Sequence, residues 1–182
     1  MAEFFDRLTK YHISFIKKQY MFFVGSAGAE DRVNVSPKGM DALRVLGPNQ
    51  IVWLSYTGSG NETAAHVVEN RRMTLMICSF DKQPLIMRIY GSARLVYPRH
   101  SDRWQQHMAR VGHQTGTRQF FELDIATVQT SSGFGVPYYD YTGERQTLAN
   151  YLERDKESLA DYWASTNEFG IDGKPTAIIS DV

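Results

Sequence analysis

The sequence predicts a mainly β fold, a small antiparallel barrel with flanking helices. Three observations carry this. Six or seven short apolar or alternating segments are separated by glycine, proline and asparagine turns, most of them in hairpin order. One helical segment interrupts the series, and further helical patterns lie at the two ends. The strands are joined too often by turns for a doubly wound parallel sheet. An open α+β sheet is the remaining alternative.

In chain order, Phe4 to Gln19 carries apolar residues near helical spacing and predicts a helix. Tyr20 to Gly25 predicts a strand, Ser26 to Asp31 a hairpin loop, and Arg32 to Ser36 a second, alternating strand, ended by Pro37-Lys38-Gly39. Leu43 to Leu46, Ile51 to Ser55, Met73 to Phe80 and Leu85 to Tyr97 predict further strands, with Gly91 marking a bulge or bend in the last. Arg99 to Val111 turns helical, with Trp104, Met108 and Val111 on one side, and Phe120 to Thr130 predicts the final strand. Ser131 to Pro137 is a loop, and Arg145 to Glu168 reads as one or two helices. We divide the chain into a barrel domain, residues 1–142, and a C-terminal helical extension, residues 143–182, packed on the barrel or on a dimer partner.

The 182 residues suffice for a sizeable core. Twenty basic residues balance twenty acidic ones, which gives no steering toward nucleic acid or an anionic membrane. The single cysteine, Cys78, excludes an intrachain disulfide and fits a reducing compartment. The apolar runs are of strand length, and no signal-like segment opens the chain, so a cytoplasmic protein is expected. The five histidines, at 12, 66, 100, 107 and 113, show no ligand-pair spacing, so no metal site is expected.

The most informative stretch is Ile51–Asn70. A strand runs into the glycine turn Thr57-Gly58-Ser59-Gly60, and Asn61 then stands as N-cap of a helix through Thr63 to Val68. Unpaired N–H groups and the helix dipole make such a junction receptive to phosphate. A capped connection that binds nothing has the same local sequence. The turn lacks the Lys-Ser/Thr ending of a P-loop and does not form a Gly-x-Ser-x-Gly elbow. If the strand before Lys38 pairs beside Ile51–Ser55, Ser36 and Lys38 join Asn61 and Thr63 at one phosphate. Glu62 serves the helix dipole in this reading. Phe134, Tyr138, Tyr139 and Tyr141 either stack on a flat ligand or pack a dimer seam.

Four segments then resemble one family in its order and spacing: Arg32–Gly39, Trp53–His66, Glu69–Met76 and Met87–Val96. They are similar to the pyridoxamine 5′-phosphate oxidase-related flavoproteins, over roughly residues 20 to 140. The resemblance implies an antiparallel split β-barrel that binds FMN and works as a homodimer with the cofactor cleft at the interface. It implies that Asn34, Val35, Ser36, Pro37 and Lys38 run along the flavin, with Lys38 toward the phosphate. Ser55 would lie beside the ribityl chain, and Gly60, Asn61, Glu62 and Thr63 at the phosphate. Arg88 would face the flavin or the partner, and Ser131, Ser132 and Gly133 would reach the other subunit's cofactor. Where the oxidase has a serine-arginine-lysine run, this chain has Asn61-Glu62-Thr63, and it lacks the arginine-and-tryptophan segment that holds pyridoxal phosphate. The expectation is therefore an FMN-dependent oxidoreductase acting on an unknown small molecule. The rival expectations are a non-catalytic module for flavin, deazaflavin or haem, and a dimeric structural protein.

Overall fold

The computed structural model describes residues 2–112 and 114–181; His113 lies outside the described residues. Eight strands form one antiparallel sheet: β1 (Glu3–Phe5), β2 (Phe22–Ser26), β3 (Asn34–Lys38), β4 (Leu43–Gly47), β5 (Gln50–Tyr56), β6 (Arg72–Cys78), β7 (Ile86–Val96) and β8 (Thr117–Ser131). Their order is β3-β2-β6-β7-β8-β5-β4, with β1 added to β8. The helices are α1 (Lys10–Ile16), α2 (Glu62–Asn70), α3 (Ser101–Val111), α4 (Thr147–Arg154) and α5 (Leu159–Tyr162), the last followed by a π-helical turn, Trp163–Asn167.

Strand register sorts the side chains into two faces. One row of opposed residues reads Ser36, Val24, Leu75, Ile89, Val128 across β3, β2, β6, β7 and β8. Its four apolar members are fully buried and form the barrel interior. The next row reads Pro37, Phe23, Met76, Arg88, Gln129 and faces outward. On the other side of the barrel both faces of β5 and β8 are covered. Trp53 stacks on Phe121 with centroids 4.3 Å apart, and Trp104 of α3 meets Phe120 edge-on at 4.9 Å. Gly91 sits at a register shift of β7 against β8, where an added Cβ would stand 2.1 Å from the Asp124 carbonyl oxygen. Only glycine permits that approach.

Three expectations are corrected. Glu3–Phe5 is a strand, and α1 begins only at Lys10, where Thr9 caps it: Thr9 Oγ1 accepts from the His12 N–H at 3.2 Å. Pro37 and Lys38 do not end β3 but belong to it. Pro37 is tolerated because β3 is an edge strand. The last strand begins at Thr117, three residues before the apolar run, and two of those residues, Arg118 and Gln119, line the candidate functional site.

Candidate functional site: a donor-lined anion pocket

A pocket opens where β3, β5 and β8 meet the start of α2. Asn34, Ser36, Lys38, Ser55, Gly60, Asn61, Glu62 and Thr63 line it, together with Trp53, Arg118, Gln119 and Phe121. Eight of the residues singled out from sequence are thus brought together. Alternation along β3 turns Val35 and Pro37 to the outer face, both exposed. Arg88 shares that outward row, so its side chain faces away from the pocket. Ser131 pairs with Ile86 at the far end of β7 and β8, and Gly133 (φ +67°) packs against the backbone at Leu85. Within one chain, Ser131, Ser132 and Gly133 do not line the pocket.

Asn61 occupies the N-cap position of α2 but makes no capping hydrogen bond with its side chain. The amide is engaged across the fold instead: Gln119 Nε2 donates to Asn61 Oδ1 at 2.6 Å, and Asn61 Nδ2 donates to the Asn167 carbonyl at 3.3 Å. Hydrogen bonding within α2 begins at the Ala64 and Ala65 N–H groups, which share the Asn61 carbonyl. The preceding N–H groups keep the anion-receptive character of a helix start.

The hydroxyls are arranged as donors. Asn34 Nδ2 donates to both Ser36 Oγ and Thr63 Oγ1 at 3.0 Å, and Arg118 donates to Ser55 Oγ at 3.2 Å. Each oxygen is thereby an acceptor already, and its own proton is left for something else. Two cations complete the pocket. Lys38 Nζ lies 5.6 Å from the Trp53 ring centroid, and its pKa is pushed down to about 8, by burial first and by the Arg118 guanidinium second. Arg118 is 4% exposed and pushed down to about 10, again chiefly by burial. Its side chain donates to the carbonyls of Gly58 (3.2 Å) and Gly60 (2.9 Å) and to Asn167 Oδ1 (2.9 Å). Arg118 Nε and Trp53 Nε1 are buried without a hydrogen-bond partner. Glu62 adds the one negative charge among the lining residues.

Sequence reasoning missed Arg118. An arginine just ahead of an aromatic run reads as a solvated strand end, and no periodicity marks it as buried. It also missed Asn167, which lies fully buried in a polar stretch, Ser165-Thr166-Asn167. The C-terminal segment crosses the glycine turn here. Trp163 Nε1 donates to Thr57 Oγ1 at 2.8 Å, Asn167 Nδ2 to the Gly58 carbonyl at 3.0 Å, and Thr176 Oγ1 to the Asn167 carbonyl at 2.6 Å.

A second cluster ties that segment to the barrel. Lys174 Nζ lies 2.7 Å from Glu69 and 2.9 Å from Asp31, and Arg32 pairs with Asp172. The fold also brings His66 beside Asp31 and Asp172, with ligand-type atoms within 4.8 Å of one another, a grouping invisible in the spacing of the histidines. The Lys174 ammonium already supplies a cation to Asp31 in this group. Cys78 is buried, and burial pushes its thiol up. No helix among the described residues is long and apolar enough to cross a membrane.

The chain is thus an antiparallel barrel with two buried or half-buried cations and a helix start at one pocket. Residues 8–132 match the model of the pyridoxamine 5′-phosphate oxidase family. The chain is 34% identical over 194 residues to the Aspergillus flavus pyridoxamine 5′-phosphate oxidase family protein ustO, covering 96% of this chain and 78% of that one. The chain belongs to the pyridoxamine 5′-phosphate oxidase family. Its fold is that of family structures. A crystal structure described as a pyridoxamine 5′-phosphate oxidase from Lactobacillus delbrueckii superposes with a TM-score of 0.56 at 17% identity, over 68% of this chain and 94% of that one. An FMN-binding protein from Syntrophomonas wolfei superposes with a TM-score of 0.51 at 14% identity, over 65% and 81%. These structural likenesses establish the antiparallel split-barrel fold.

Proposed function

We propose that the chain is an FMN-binding flavoprotein, an oxidoreductase on a small molecule, whose donor-lined pocket holds the FMN phosphate. The observation that carries this is the pairing of Lys38 with a buried Arg118 that has an unpartnered Nε, at a helix start, in a family with an FMN-binding structural neighbour. Phosphate oxygens are pure acceptors with negative charge. Ser36, Ser55 and Thr63 offer hydroxyl protons, and Lys38 and Arg118 offer charge. The residues present fit the group.

Bound FMN would supply the hydride-accepting ring, and the pocket residues would anchor it by the phosphate. Lys38 neutralises the phosphate as a point charge from β3. Arg118 would do so from β8, where its side chain is buried. Among the lining residues only Glu62 is a carboxylate, and its neighbours are the two cations rather than a second acid–base partner. That composition suits a site in which the chain binds and orients.

The cofactor cleft in this proposal lies at a homodimer interface. The outward row of β3 exposes Val35 and Pro37, and Phe134, Tyr138 and Tyr139 are also exposed, so a second copy would cover apolar surface. Ser131, Ser132, Gly133 and Arg88 would then serve the partner. Sedimentation at micromolar concentration should give a dimer; a monomer that still retains FMN would remove the shared cleft.

The test of the pocket is FMN titration. Lys38→Ala and Thr63→Ala should each weaken FMN more than tenfold, as expected for losing a charge-assisted contact of about 1.5–3 kcal/mol. Unchanged affinity in both would leave a structural dimer with a capped turn. Retained flavin that no electron donor reduces would favour a carrier or sensor over an enzyme.

A further inference from the structure

We propose that Asn167, delivered by the C-terminal segment, is a positioning residue that sets the pocket's selectivity for a phosphate group by holding the Arg118 guanidinium while leaving its charge uncompensated. This rests on the reading of the pocket as the FMN phosphate site.

Arg118 is surrounded by neutral acceptors. The two protons of its Nη1 are shared among three acceptors, the carbonyls of Gly58 and Gly60 and Oδ1 of Asn167. Its Nη2 donates to Ser55 Oγ, and its Nε has no partner. Every one of these acceptors is neutral. Among the described residues no carboxylate comes within ion-pairing distance of Arg118. A buried guanidinium held only by dipoles is an unusual and costly arrangement, because burial normally demands a counter-ion. Glu62 is close enough to favour the charged guanidinium but makes no ion pair with it. The cradle fixes one end of the fork and keeps the rest of it free for an incoming anion.

Asn167 is the member of that cradle whose chemistry matters most. It is fully buried, and both of its side-chain polar atoms and its main-chain carbonyl are hydrogen-bonded. Oδ1 accepts from Arg118, Nδ2 donates to the Gly58 carbonyl at 3.0 Å, and the main-chain carbonyl accepts from Asn61 Nδ2 and Thr176 Oγ1. The side chain therefore ties the guanidinium to the glycine turn, and the turn leads into α2. An aspartate would fit the same space. It would pair with Arg118, cancel the charge offered to the ligand, and lose the donor to Gly58. Asparagine gives the same shape without that cancellation. Because Asn167 reaches the site only when the C-terminal segment is docked, phosphate binding and docking of this segment stabilise each other.

The test titrates FMN and riboflavin, which lacks the phosphate, into the full-length wild type, Asn167→Asp, Asn167→Ala and Lys38→Ala. The expected wild type prefers FMN. Asn167→Ala should lower FMN affinity about tenfold with riboflavin unchanged, and Asn167→Asp should lower the FMN-to-riboflavin ratio further although it is the closer isostere. A purely structural role predicts the opposite order, with Asn167→Asp milder and both ligands weakened alike; that result overturns the inference. Wild type binding FMN and riboflavin equally overturns the phosphate reading of the pocket, and this inference with it. Wild type and Lys38→Ala behaving as expected while Asn167→Asp matches wild type overturns the inference alone. If the Asn167 variants do not fold, amide hydrogen exchange on wild type decides. FMN, and not riboflavin, should increase protection across Trp163–Thr176, and equal protection with both ligands contradicts the coupling.

Discussion

Lys38 on β3 and Arg118 on β8 face one pocket, and each is held below its ordinary pKa, chiefly by burial. The Arg118 guanidinium adds to the depression of Lys38, which reaches about 8. Burial disfavours the charge of both, and the Arg118 guanidinium further disfavours that of Lys38. An anion bound in this pocket would offset these penalties.

A pH dependence follows. In the free protein Lys38 is charged below about pH 8 and neutral above it. The phosphate of FMN is already dianionic above about pH 6, so only the protein side changes further. FMN affinity should hold from pH 6.5 to 7.5 and fall as the pH rises through 8. The stability of the ligand-free protein runs the other way. The unfolded chain keeps the Lys38 proton up to about 10.5 and so binds more protons than the folded chain between about 8 and 10.5; stability contributed by this group rises across that window. Lys38→Met should flatten both profiles, measured by FMN titration and by urea midpoints.

Glu62 should oppose an anionic ligand. It lies in the pocket near both cations, and its charge partly neutralises them. Glu62→Gln should tighten FMN about fivefold, which corresponds to about 1 kcal/mol. The same change removes a first-turn carboxylate from α2 and should cost the free protein about 0.3–1 kcal/mol. Tighter binding with a lower melting temperature is the expected pair of readings.

Gly91 tests the barrel itself. A methyl there meets the Asp124 carbonyl oxygen at 2.1 Å and Leu123 Cδ1 at 2.9 Å. The obstacle is backbone, which cannot swing aside. Gly91→Ala should destabilise the protein by about 1–3 kcal/mol in urea denaturation, and a value near zero would mean that the bulge adjusts freely.

Acid sensitivity should trace to Glu122. Burial pushes this carboxyl up, but the 2.7 Å hydrogen bond with His107 and the charges of Arg103, His107 and Arg94 outweigh it and hold the pKa below the usual range. The stabilisation is complete above the unfolded value near 4.5 and is lost as pH falls through the folded one. Glu122→Gln should make urea midpoints fall less steeply between pH 5 and 3 than in wild type.

The strands of the barrel were legible because alternation and turn residues mark them locally, and the glycine turn with its helix marked one wall of the pocket. Lys38 was legible only on the condition that its strand pairs beside Ile51–Ser55; β3 pairs with β2 instead, and curvature of the sheet brings Lys38 to the pocket. Two things were not. The face on which Arg88 lies depends on register across five strands, and local sequence gives no register. Arg118 and Asn167 are polar residues buried by long-range contacts, 58 to 60 and 109 residues from the turn carbonyls they hold. Hydrophobic patterning assigns such residues to the surface. The short β1 was missed for a related reason: three residues, Glu3–Phe5, become a strand only because β8 is there to receive them.

The central claim is that this pocket holds the phosphate of FMN. The most direct measurement is the absorption spectrum of the purified protein after incubation with FMN and desalting, set beside the Lys38→Ala variant. The account predicts oxidised-flavin bands retained by wild type and largely lost from the variant. No retained flavin in wild type, or equal retention in both, would contradict it.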